Sequence, residues 1–583
     1  MYNIVVYIYL LLKRNSFFLA IILISVFTRF FLLNNVPSAT SFDQLHYLLD
    51  AKSFYETGKD ISGNTTLLDI FLFHYPQWAG MQAELPYLLT LLSVGPLGLS
   101  LATAALPNAI LSVGIVILMY FLGKELVDKK FGIIAAALSS INPWFIFSGR
   151  TAYEVVPATF FYILTLYILL KAKGPYLLLA IPAMLLAFYS YIGTKLIFLP
   201  FIILCAVYSF FVIHKKRYKT YYIAILGVAI MIVGIFIYQL NAQPEASRMG
   251  DIFLPNHTHL AEEVNNIRQS SLSSPLIKFF ENKYTLYLQT LIANIFNLTS
   301  PTYLFGTGDY FFSLGRHGLF YYLDAFFLLI GIVSFFQSNK KRSLFFLALI
   351  VISTFPQVFH NPKGDGNFTP HLALFIPLLL IIIAYGLYTL INSLQNKWYS
   401  SIVTIGIFCI YSLLFLNFLV IYFYQFPLND NILIFPNRVF ARYVSLASSQ
   451  NQQIVVHASN PLLLFREYLF YSGIYTKKNI PQINNLIQKR IYEIPNITFV
   501  QCSSPKTLKD ATVIYESLCD VKIDKSQRTI AHLKDSGGAF AIYNDVLCDK
   551  MPTKNYISDV TLTHLFVEKL NIKTFCEKFI ISY

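Results

Sequence analysis

Long apolar runs recur along this sequence, and a run of about 17 to 25 apolar residues is the length that crosses a lipid bilayer as a helix. Roughly eleven such runs are present, near residues 17–33, 104–122, 131–147, 154–170, 175–192, 194–213, 221–239, 318–337, 343–359, 371–391 and 401–424. Charged residues make up only 13% of the chain, against about 25% in soluble domains. We therefore predict a mostly α-helical, polytopic membrane protein with about 11 to 13 spans.

Short basic clusters between the apolar runs predict the orientation of the chain. They comprise Lys13 and Arg14; Lys124, Lys129 and Lys130; Lys171 and Lys173; Lys215, Lys216, Arg217 and Lys219; and Lys340, Lys341 and Arg342. Because basic residues concentrate in cytoplasmic loops, we expect a cytoplasmic N-terminus, a retained first span, and loops 34–84 and 240–317 on the external face of a plasma or inner membrane. The net charge of +14 follows from these clusters and does not indicate a nucleic-acid partner.

The charged and aromatic segment 41–63, SFDQLHYLLDAKSFYETGKDISG, directly follows the first apolar run. Its acids Asp43 and Asp50 are seven residues apart, so in a helix they project from one face, two turns apart. A carboxylate placed where a helix leaves the bilayer is a functional candidate. The alternative is an ordinary interfacial loop that is solvated by lipid headgroups.

The apolar stretch 85–101 is interrupted by Gly95 and Pro96, and a full crossing there would place the cluster around Lys130 on the wrong side. We predict a re-entrant or tilted helix, which is tolerated at membrane depth where it is buried in protein or lines a cavity. Glu84 directly precedes this stretch. The Glu84 carboxylate either complements the dipole of the helix that begins there or takes part in the chemistry.

Further ionisable residues lie in the turns that the predicted topology places outside. Arg150 and Glu154 are four residues apart, so they either form a helix salt bridge or hold a phosphate and orient a donor. Tyr191 and Lys195 lie in the next external turn, where Lys195 could instead snorkel to the interface. Arg316 lies just before a later apolar run and is placed to face an external cavity.

Residues 425–583 differ in character from the rest of the chain. Short alternating apolar runs predict strands, and PLLLFREYLFYSG predicts a helix, so we expect a small, water-soluble α/β domain. An odd number of spans places this domain outside. Its four cysteines allow three pairings, of which proximity in sequence favours Cys502 with Cys519 and Cys548 with Cys576. In a reducing compartment the four would remain thiols.

The chain resembles the GT-C class of membrane glycosyltransferases, in particular the protein-mannosyltransferase-like group (family 39) and the bacterial transferases of lipid-A and lipopolysaccharide sugars. The resemblance covers roughly the first 425 residues and lies in the motifs RFFLLNNVPSATSFDQLHYLLDAKSFYETGKDISG, ELPY, SINPWFIFSGRTAYEV, SYIGTKLIFLP and SPTYLFGTGDYFFSLGRHGLFYY. It implies a transmembrane catalytic domain over 1–424. Such enzymes move a sugar from a polyprenyl-phosphate donor to an acceptor on the external face: a protein hydroxyl, a lipid or a cell-envelope glycan.

The resemblance also implies roles for individual residues. Asp43 would be the general base that deprotonates the acceptor hydroxyl, a task worth about 10² to 10⁴-fold in rate. Glu84 matches an acid that in some relatives helps to coordinate a divalent metal, so a metal remains open and no other cofactor is expected. The expected substrate and lipid-phosphate contacts are Asp50, Arg150, Glu154, Tyr191, Lys195 and Arg316, whose cations would neutralise the departing phosphate.

Two departures from the family pattern and two alternatives remain. Gln44 follows Asp43 where many relatives have a second acid, and the late turn GNFTPHLALF offers only His371 where relatives often have Arg. An oligosaccharyltransferase is disfavoured because a WWDYG-type signature is absent. A transporter or flippase of lipid-linked sugars without transferase activity would require ionisable residues along a pathway through the spans, whereas here most of them cluster at one face. Nucleotide-driven transport is disfavoured because no Walker-type glycine-rich loop is present.

Overall fold

A computed structural model of the chain describes residues 16–72, 83–242, 257–309, 313, 315–360, 367–428, 434–502, 511–519, 528–532, 537–551, 554 and 559–582. Two regions follow each other along the chain. The first is helical, and the second contains a β-sheet. A mostly helical chain with apolar helices and a small C-terminal sheet is therefore confirmed.

The helices of the first region are α1 Ser16–Phe30, α2 Phe42–Thr57, α3 Leu67–Phe71, α4 Leu85–Leu97, α5 Leu101–Leu126, α6 Lys129–Ile141, α7 Pro143–Ser148, α8 Val155–Lys171, α9 Ala180–Ser190, α10 Ile192–Tyr208, α11 Lys219–Ala242, α12 His257–Gln269, α13 Pro275–Phe280, α14 Lys283–Thr299, α15 Tyr322–Ser338, α16 Lys340–Val358, α17 Phe375–Ser393 and α18 Lys397–Val420. Three of them, α12 to α14, lie within the predicted external loop 240–317. That loop is thus largely helical where the structure describes it.

Within the described residues, six helices are long and apolar enough to cross a membrane: Leu101–Leu126, Ile192–Ile213, Lys219–Ala242, Lys340–Val358, Phe375–Ser393 and Trp398–Leu428. Five further apolar helices are shorter: Ser16–Phe30, Leu85–Leu97, Val155–Lys171, Gly174–Ser190 and Tyr322–Ser338. A count of about 11 to 13 spans stays a prediction. Helix α4 has 13 residues, which at about 1.5 Å per residue is shorter than the hydrocarbon core of about 30 Å, in keeping with a segment that does not cross alone.

Close packing between helices depends on small residues. A Cβ on Gly386 of α17 would lie 1.9 Å from the carbonyl oxygen of Phe327 on α15, and a Cβ on Gly331 would lie 2.1 Å from that of Ile382. The two backbones can therefore approach each other only because these positions are glycine, as is common between membrane helices. Large apolar side chains such as Ile230 and Phe408 are exposed on the outer surface, where a membrane protein meets lipid.

The segment between α1 and α4 contains the predicted functional residues, and local capping defines its main helix. Ser41 caps α2: its hydroxyl accepts from the backbone N–H of Gln44, whose side chain in turn accepts from the backbone N–H of Ser41. Gly58 ends the helix in the left-handed conformation, with φ of 77°, which glycine adopts without steric cost. This capping box explains why a glutamine follows Asp43: Gln44 completes the cap.

The second region contains helices α19 Phe435–Ser448, α20 Pro461–Ser472, α21 Ile480–Gln488 and α22 Ile572–Phe579 and strands β1 Gln453–Ala458, β2 Glu493–Ile494, β3 Ile497–Gln501, β4 Ala511–Glu516, β5 Arg528–Ala531, β6 Gly538–Tyr543 and β7 Ile580–Ser582. The strand order is β2-β3-β1-β4-β6-β5-β7. Strand β1 pairs in parallel with β3 and β4, whereas the outer pairs are antiparallel. Disulfides join Cys502 to Cys519 and Cys548 to Cys576, so the predicted pairing is confirmed.

Hydrogen bonds attach the second region to the segment between α1 and α4 at both of its ends. Near the start, Arg438 of α19 donates to the carbonyl of Ser38 over 2.8 Å, and its guanidinium pairs with Glu568 at 2.7 Å. Near the end, Gln488 of α21 donates to the carbonyl of Ser62 over 2.6 Å. Helix α2 therefore lies between the membrane helices and the sheet region, and its position depends on both.

Candidate active site

Asp43 lies in the first turn of α2 and its side chain is exposed. Negative charge is favourable there because the N-terminus of a helix carries a partial positive charge. Asp43 and Asp50 therefore lie on one helix, as the sequence predicted. The side chain of Asp43 points away from the buried face of that helix. An exposed carboxylate is accessible to a substrate, which is the first requirement of a general base.

Glu154 lies just before α8, beside the N-terminal half of α2. One of its carboxylate oxygens accepts from the Tyr47 hydroxyl in a short hydrogen bond, and the other accepts from the backbone N–H of Ala83 over 3.3 Å. Burial is the main cause that raises the pKa of Glu154 to about 8, and the negative charges of Asp43 and Glu84 raise it further. Below pH 8 this carboxyl is therefore mostly protonated.

Two buried tyrosines, Tyr153 and Tyr191, are close enough to Asp43 for its charge to act on them. Burial raises the pKa of Tyr153, and the negative charges of Asp43, Asp309 and Glu154 raise it further. Burial likewise raises the pKa of Tyr191, with Glu154 and Asp43 among the charges that add to the effect. Tyr153 is therefore influenced by three carboxyls that come from separate parts of the chain. The hydroxyl of Tyr153 also hydrogen-bonds to Ser41.

Asp309 and Tyr153 are site residues that the sequence did not single out. Asp309 is buried, and one of its oxygens accepts from the backbone N–H of Thr369 over 3.2 Å and from its hydroxyl over 2.7 Å. The Tyr303 hydroxyl lies 2.8 Å from the same Thr369 hydroxyl. A signal was present, because Asp309 follows a glycine-containing turn in one of the motifs that carry the family resemblance, LFGTGDYFFSLG.

Glu84 and Lys195 form a buried ion pair at the start of α4. The Lys195 ammonium lies 2.6 Å from a Glu84 oxygen, and both side chains are almost fully buried. The same ammonium lies over the rings of Phe188 and Phe236, at 5.2 and 4.7 Å from their centroids. A buried pair of this kind resists separation, since removing one partner strands the other charge.

Arg150 is fully buried, and its guanidinium donates to the carbonyls of Thr28, Phe31 and Val36 over 2.7 to 2.8 Å. These carbonyls belong to the end of α1 and the chain that follows it. Arg150 thereby anchors the segment that leads into α2, and no salt bridge with Glu154 is among the contacts of these two described residues. Its predicted contact with a lipid phosphate stays a prediction.

Arg316 and Tyr191 are two further residues that the sequence predicted for the site. Arg316 is exposed and donates to the side-chain oxygen of Gln425 over 3.1 Å. Its described hydrogen-bond partner is neutral, so its charge is available to an anion. Tyr191 is buried, with its ring 5.9 Å from that of His371. The late turn that holds His371 thus reaches the same cluster.

Asp50 lies in the middle of α2, two turns beyond Asp43. It is buried, and one carboxylate oxygen accepts from the backbone N–H of Ile61 over 3.0 Å. Burial raises the pKa of Asp50 to about 7, against the opposing effect of the Arg466 charge. Arg466 belongs to α20 of the second region, and Tyr87, on which the Asp50 charge also acts, belongs to α4, so Asp50 lies between the two regions. The structure does not bring Asp50 together with Asp43.

The residues present do not form a ready metal site. Among the described residues no three His, Cys, Asp or Glu side chains are grouped so that they could hold a metal ion. Glu84, the candidate ligand, already pairs with the Lys195 ammonium. We therefore derive no catalytic step through a metal.

Taken together, the cluster places an exposed carboxylate beside a mostly protonated carboxyl, a buried ion pair and several tyrosine hydroxyls. Asp43 can accept a proton from a substrate hydroxyl. The neutral form of Glu154 does not repel the Asp43 carboxylate, because a protonated carboxyl carries no charge. Hydroxyls and an exposed guanidinium supply hydrogen-bond donors for a polar substrate with an anionic group.

Solved membrane enzymes have a similar chain path. The oligosaccharyltransferase AglB of Archaeoglobus fulgidus, solved with an inhibitory peptide and a dolichol-phosphate, matches with 13% identity and a TM-score of 0.43, over 93% of this chain and 75% of that chain. ArnT from Cupriavidus metallidurans, solved with undecaprenyl phosphate, matches with 10% identity and a TM-score of 0.45, over 91% of this chain and 98% of that chain. Both neighbours are glycosyltransferases of the GT-C class, which the sequence motifs resemble.

No protein-family model matches the chain, and no curated protein matches it. Identities and TM-scores this low carry no information about individual residues. We therefore argue the function from the residues of this chain alone.

Proposed function

We propose that this protein is an integral-membrane glycosyltransferase that moves a sugar from a polyprenyl-phosphate donor to an acceptor hydroxyl at the external face of the membrane. The observation that carries the proposal is the position of Asp43. Its exposed carboxylate lies in the first turn of a helix that follows the apolar helix α1 and packs against α4, where a lipid-linked substrate and a polar acceptor can meet. The family resemblance of the motifs around Asp43 supports the same role.

Asp43 is a better general base than Glu154. A base must be ionised at working pH, and with a pKa of about 8 Glu154 is mostly protonated at neutral pH. Its oxygens are also engaged by Tyr47 and by the backbone of Ala83. We assign Glu154 a positioning role: it connects α2 to α8 and so holds the turn that carries Asp43.

The reaction that we propose is a single displacement at the sugar carbon bonded to the donor phosphate. The acceptor oxygen forms a bond to that carbon, the bond from the carbon to the phosphate oxygen breaks, and the hydroxyl proton passes to Asp43. Polyprenyl phosphate leaves with the electron pair of the broken bond. Arg316 stabilises the charge that develops on it, since a preorganised cation near a developing negative charge lowers the barrier.

The remaining predicted residues have supporting roles in this proposal. The buried pair of Glu84 and Lys195 forms a wall of the site, and Tyr191 contributes a hydroxyl that can contact the sugar. Arg150 acts through the chain that it anchors ahead of α2. Asp50 acts at the contact with the second region and not on the donor.

Transfer can be tested with purified protein and a panel of polyprenyl-phosphate sugars labelled in the sugar. We expect at least one donor to release polyprenyl phosphate with the label recovered on an acceptor. The key variant is Asp43→Asn, which keeps size and removes the base. Glu56→Gln, on the same helix and far from the cluster, is the matched control and should retain wild-type turnover.

Movement of the intact labelled lipid across a vesicle membrane, with no release of polyprenyl phosphate from any donor, would instead favour a flippase. Equal turnover of the Asp43→Asn and wild-type proteins would show that another group is the base.

A further inference from the structure

A second cavity, far from Asp43, lies between the loop that follows α2 and the sheet region. Its volume is about 1080 Å³, slightly above the range of about 300 to 1,000 Å³ that is usual for ligand sites. The residues that line its walls include Ser62, Ser459, Arg466, Gln488, Arg490 and Tyr492. We name it the switch-point cavity for its place in the sheet.

The cavity opens at the carboxyl ends of two parallel strands. Ser459 and Asn460 follow β1 directly, and Gln501 is the last residue of β3. Strand β1 has β3 on one side and β4 on the other, both parallel to it. The strand order reverses between β1 and β4, and the cavity lies next to that point, on the β3 side of β1. Ligands of open α/β sheets bind in crevices outside the carboxyl ends of the strands.

The chemistry of the lining suits a carbohydrate with a negative charge. Side-chain amides and hydroxyls can donate to and accept from sugar hydroxyls, and the half-buried ring of Tyr492 offers an apolar face. The exposed guanidinium of Arg490 can bind a carboxylate through paired hydrogen bonds, and the buried Arg466 adds a second positive charge to the wall. The carboxylates of Asp60 and Glu516 are already hydrogen-bonded to Ser62 and Ser459, so the anion preference of the cavity depends on Arg490.

The arginine at the base of the cavity is held in place before any ligand binds. Arg466 is 1% exposed and donates to Nδ1 of His46 over 2.6 Å. Burial, and then the Arg466 charge, lower the pKa of His46 to about 3, so the imidazole stays neutral and accepts this bond. The Arg466 guanidinium is thus positioned by His46 of α2, and a preorganised side chain loses less entropy on binding.

The loop from the first region closes one side of the cavity. Asp60 accepts from the backbone N–H groups of Asn64 and Thr65 over 2.9 and 3.0 Å, which fixes the shape of the loop. Gly63 adopts φ of 72°, and a Cβ there would lie 1.9 Å from Nε2 of Gln488. A side chain at this position would displace the Gln488 amide, and the left-handed backbone favours glycine. Both regions contribute to the cavity.

Helix α2 connects this cavity to the candidate base. Its 16 residues span about 24 Å at 1.5 Å per residue, with Asp43 at one end and the loop to Ser62 at the other. We propose that the switch-point cavity binds an anionic carbohydrate segment of the acceptor, remote from the hydroxyl that reacts at Asp43. The link to transfer rests on the function proposed above, whereas binding itself does not. Contacts to remote parts of a substrate can supply energy that is used at the reacting centre.

Binding can be measured by isothermal titration calorimetry on the full chain in nanodiscs of neutral lipid. The probe is a hexamer of galacturonic acid, and the neutral comparison is maltohexaose. We expect the Kd of the galacturonic acid hexamer to be at least about tenfold lower than that of maltohexaose. Arg490→Gln should weaken its binding by at least about tenfold, whereas Lys489→Gln, which removes the same charge one residue away and outside the lining, should not.

Two further probes identify the chemistry of the site. Inorganic phosphate that competes as well as the hexamer would reduce the cavity to a simple anion site, and a hexamer of glutamate that binds equally well would make it a site for acidic peptides. Either result overturns the proposal. Equal binding of wild-type and Arg490→Gln proteins with unchanged thermal unfolding midpoints would also overturn it.

Failure of this inference and failure of the proposed function give different results. If the hexamer does not bind but Asp43→Asn still abolishes transfer, the switch-point cavity has another role and the enzyme assignment stands. If the hexamer binds through Arg490 but no donor supports transfer, the cavity stands and the enzyme assignment fails.

Discussion

The first turn and the middle of helix α2 have opposite environments although Asp43 and Asp50 project from one face. The two acids are seven residues apart, yet Asp43 is exposed, whereas Asp50 is buried and close to the Arg466 charge. Near Asp43, the charges of three acids from separate parts of the chain act on Tyr153. Near Asp50, Arg466 also lines the switch-point cavity.

This difference shows how one helix can serve chemistry and assembly together. Acids that gather at an accessible position can exchange protons with a substrate, whereas an acid enclosed by another domain contributes to docking. The same residue type therefore has a different role according to what packs over it. Substitutions at Asp43 should therefore affect turnover, and substitutions at Asp50 should affect stability.

The largest expected effect is that of Asp43→Asn on turnover. The amide keeps the size and hydrogen bonding of the side chain but cannot accept the acceptor proton, so turnover should fall by at least about 10²-fold. Donor affinity should be nearly unchanged, because the lost interaction belongs to the transition state. Asp50→Asn should stay within a few-fold of wild type. Initial rates and equilibrium binding of the donor, measured on both variants, test the contrast, and a dead Asp50→Asn beside an active Asp43→Asn would reverse it.

The next largest effect is expected on the stability of the folded protein at the Glu84–Lys195 pair. Lys195→Met leaves Glu84 buried without its cation, which should lower the free energy of unfolding by about 3 to 5 kcal/mol. The matched control is Lys171→Met, because Lys171 pairs with Glu125 at the surface, where its side chain is 55% exposed, and such pairs contribute about 0 to 1 kcal/mol. Denaturant unfolding in detergent measures both. Equal losses would mean that burial of the Glu84 pair carries no special cost.

A smaller effect concerns the pH dependence of stability that Asp50 contributes. Because the folded state raises the pKa of Asp50 from 3.8 to about 7, the folded protein binds this proton more tightly than the unfolded chain does. The free energy of unfolding should therefore fall as pH rises from about 4 to 7, by a few kcal/mol at most. Asp50→Asn should remove that part of the pH dependence. An unchanged slope in the variant would show that Asp50 is ionised in the folded protein.

The smallest effect is expected for Arg316→Gln. The guanidinium is exposed, so its attraction to a lipid phosphate is screened and worth about 1 kcal/mol or less. kcat/KM for the polyprenyl-phosphate donor should fall by up to about fivefold, and the fall should shrink at high salt because of ionic screening. Steady-state kinetics at low and high ionic strength measure it. An effect that does not change with salt would argue against a charge contact.

Much of the architecture could be predicted from local patterns. Apolar periodicity and run length predict the helices, and the change in pattern near residue 425 predicts the sheet region. Spacing alone indicated that Asp43 and Asp50 share a helix, and proximity favoured the two disulfides that the structure contains. These features depend on residues close together in sequence, so a local pattern is enough to identify them.

The partners of the charged groups could not be predicted in this way. Arg150 binds carbonyls more than 110 positions earlier in the chain, Lys195 pairs with Glu84 111 positions away, and Arg466 meets His46 420 positions away. Asp309 and Tyr153 joined the candidate site through contacts of the same kind. A charge in a loop looks the same in the sequence whether it will face water, a carbonyl or another charge.

The sequence by itself therefore determined that this is a chain of apolar helices with a disulfide-linked α/β region, and that an acid follows the first apolar helix. Only the tertiary structure decided which acid is exposed, which is paired and which is enclosed by the second region. The physical reason is that secondary structure follows from local side-chain patterns, whereas burial and electrostatics depend on every group within a few ångströms. Those groups come from distant parts of the chain.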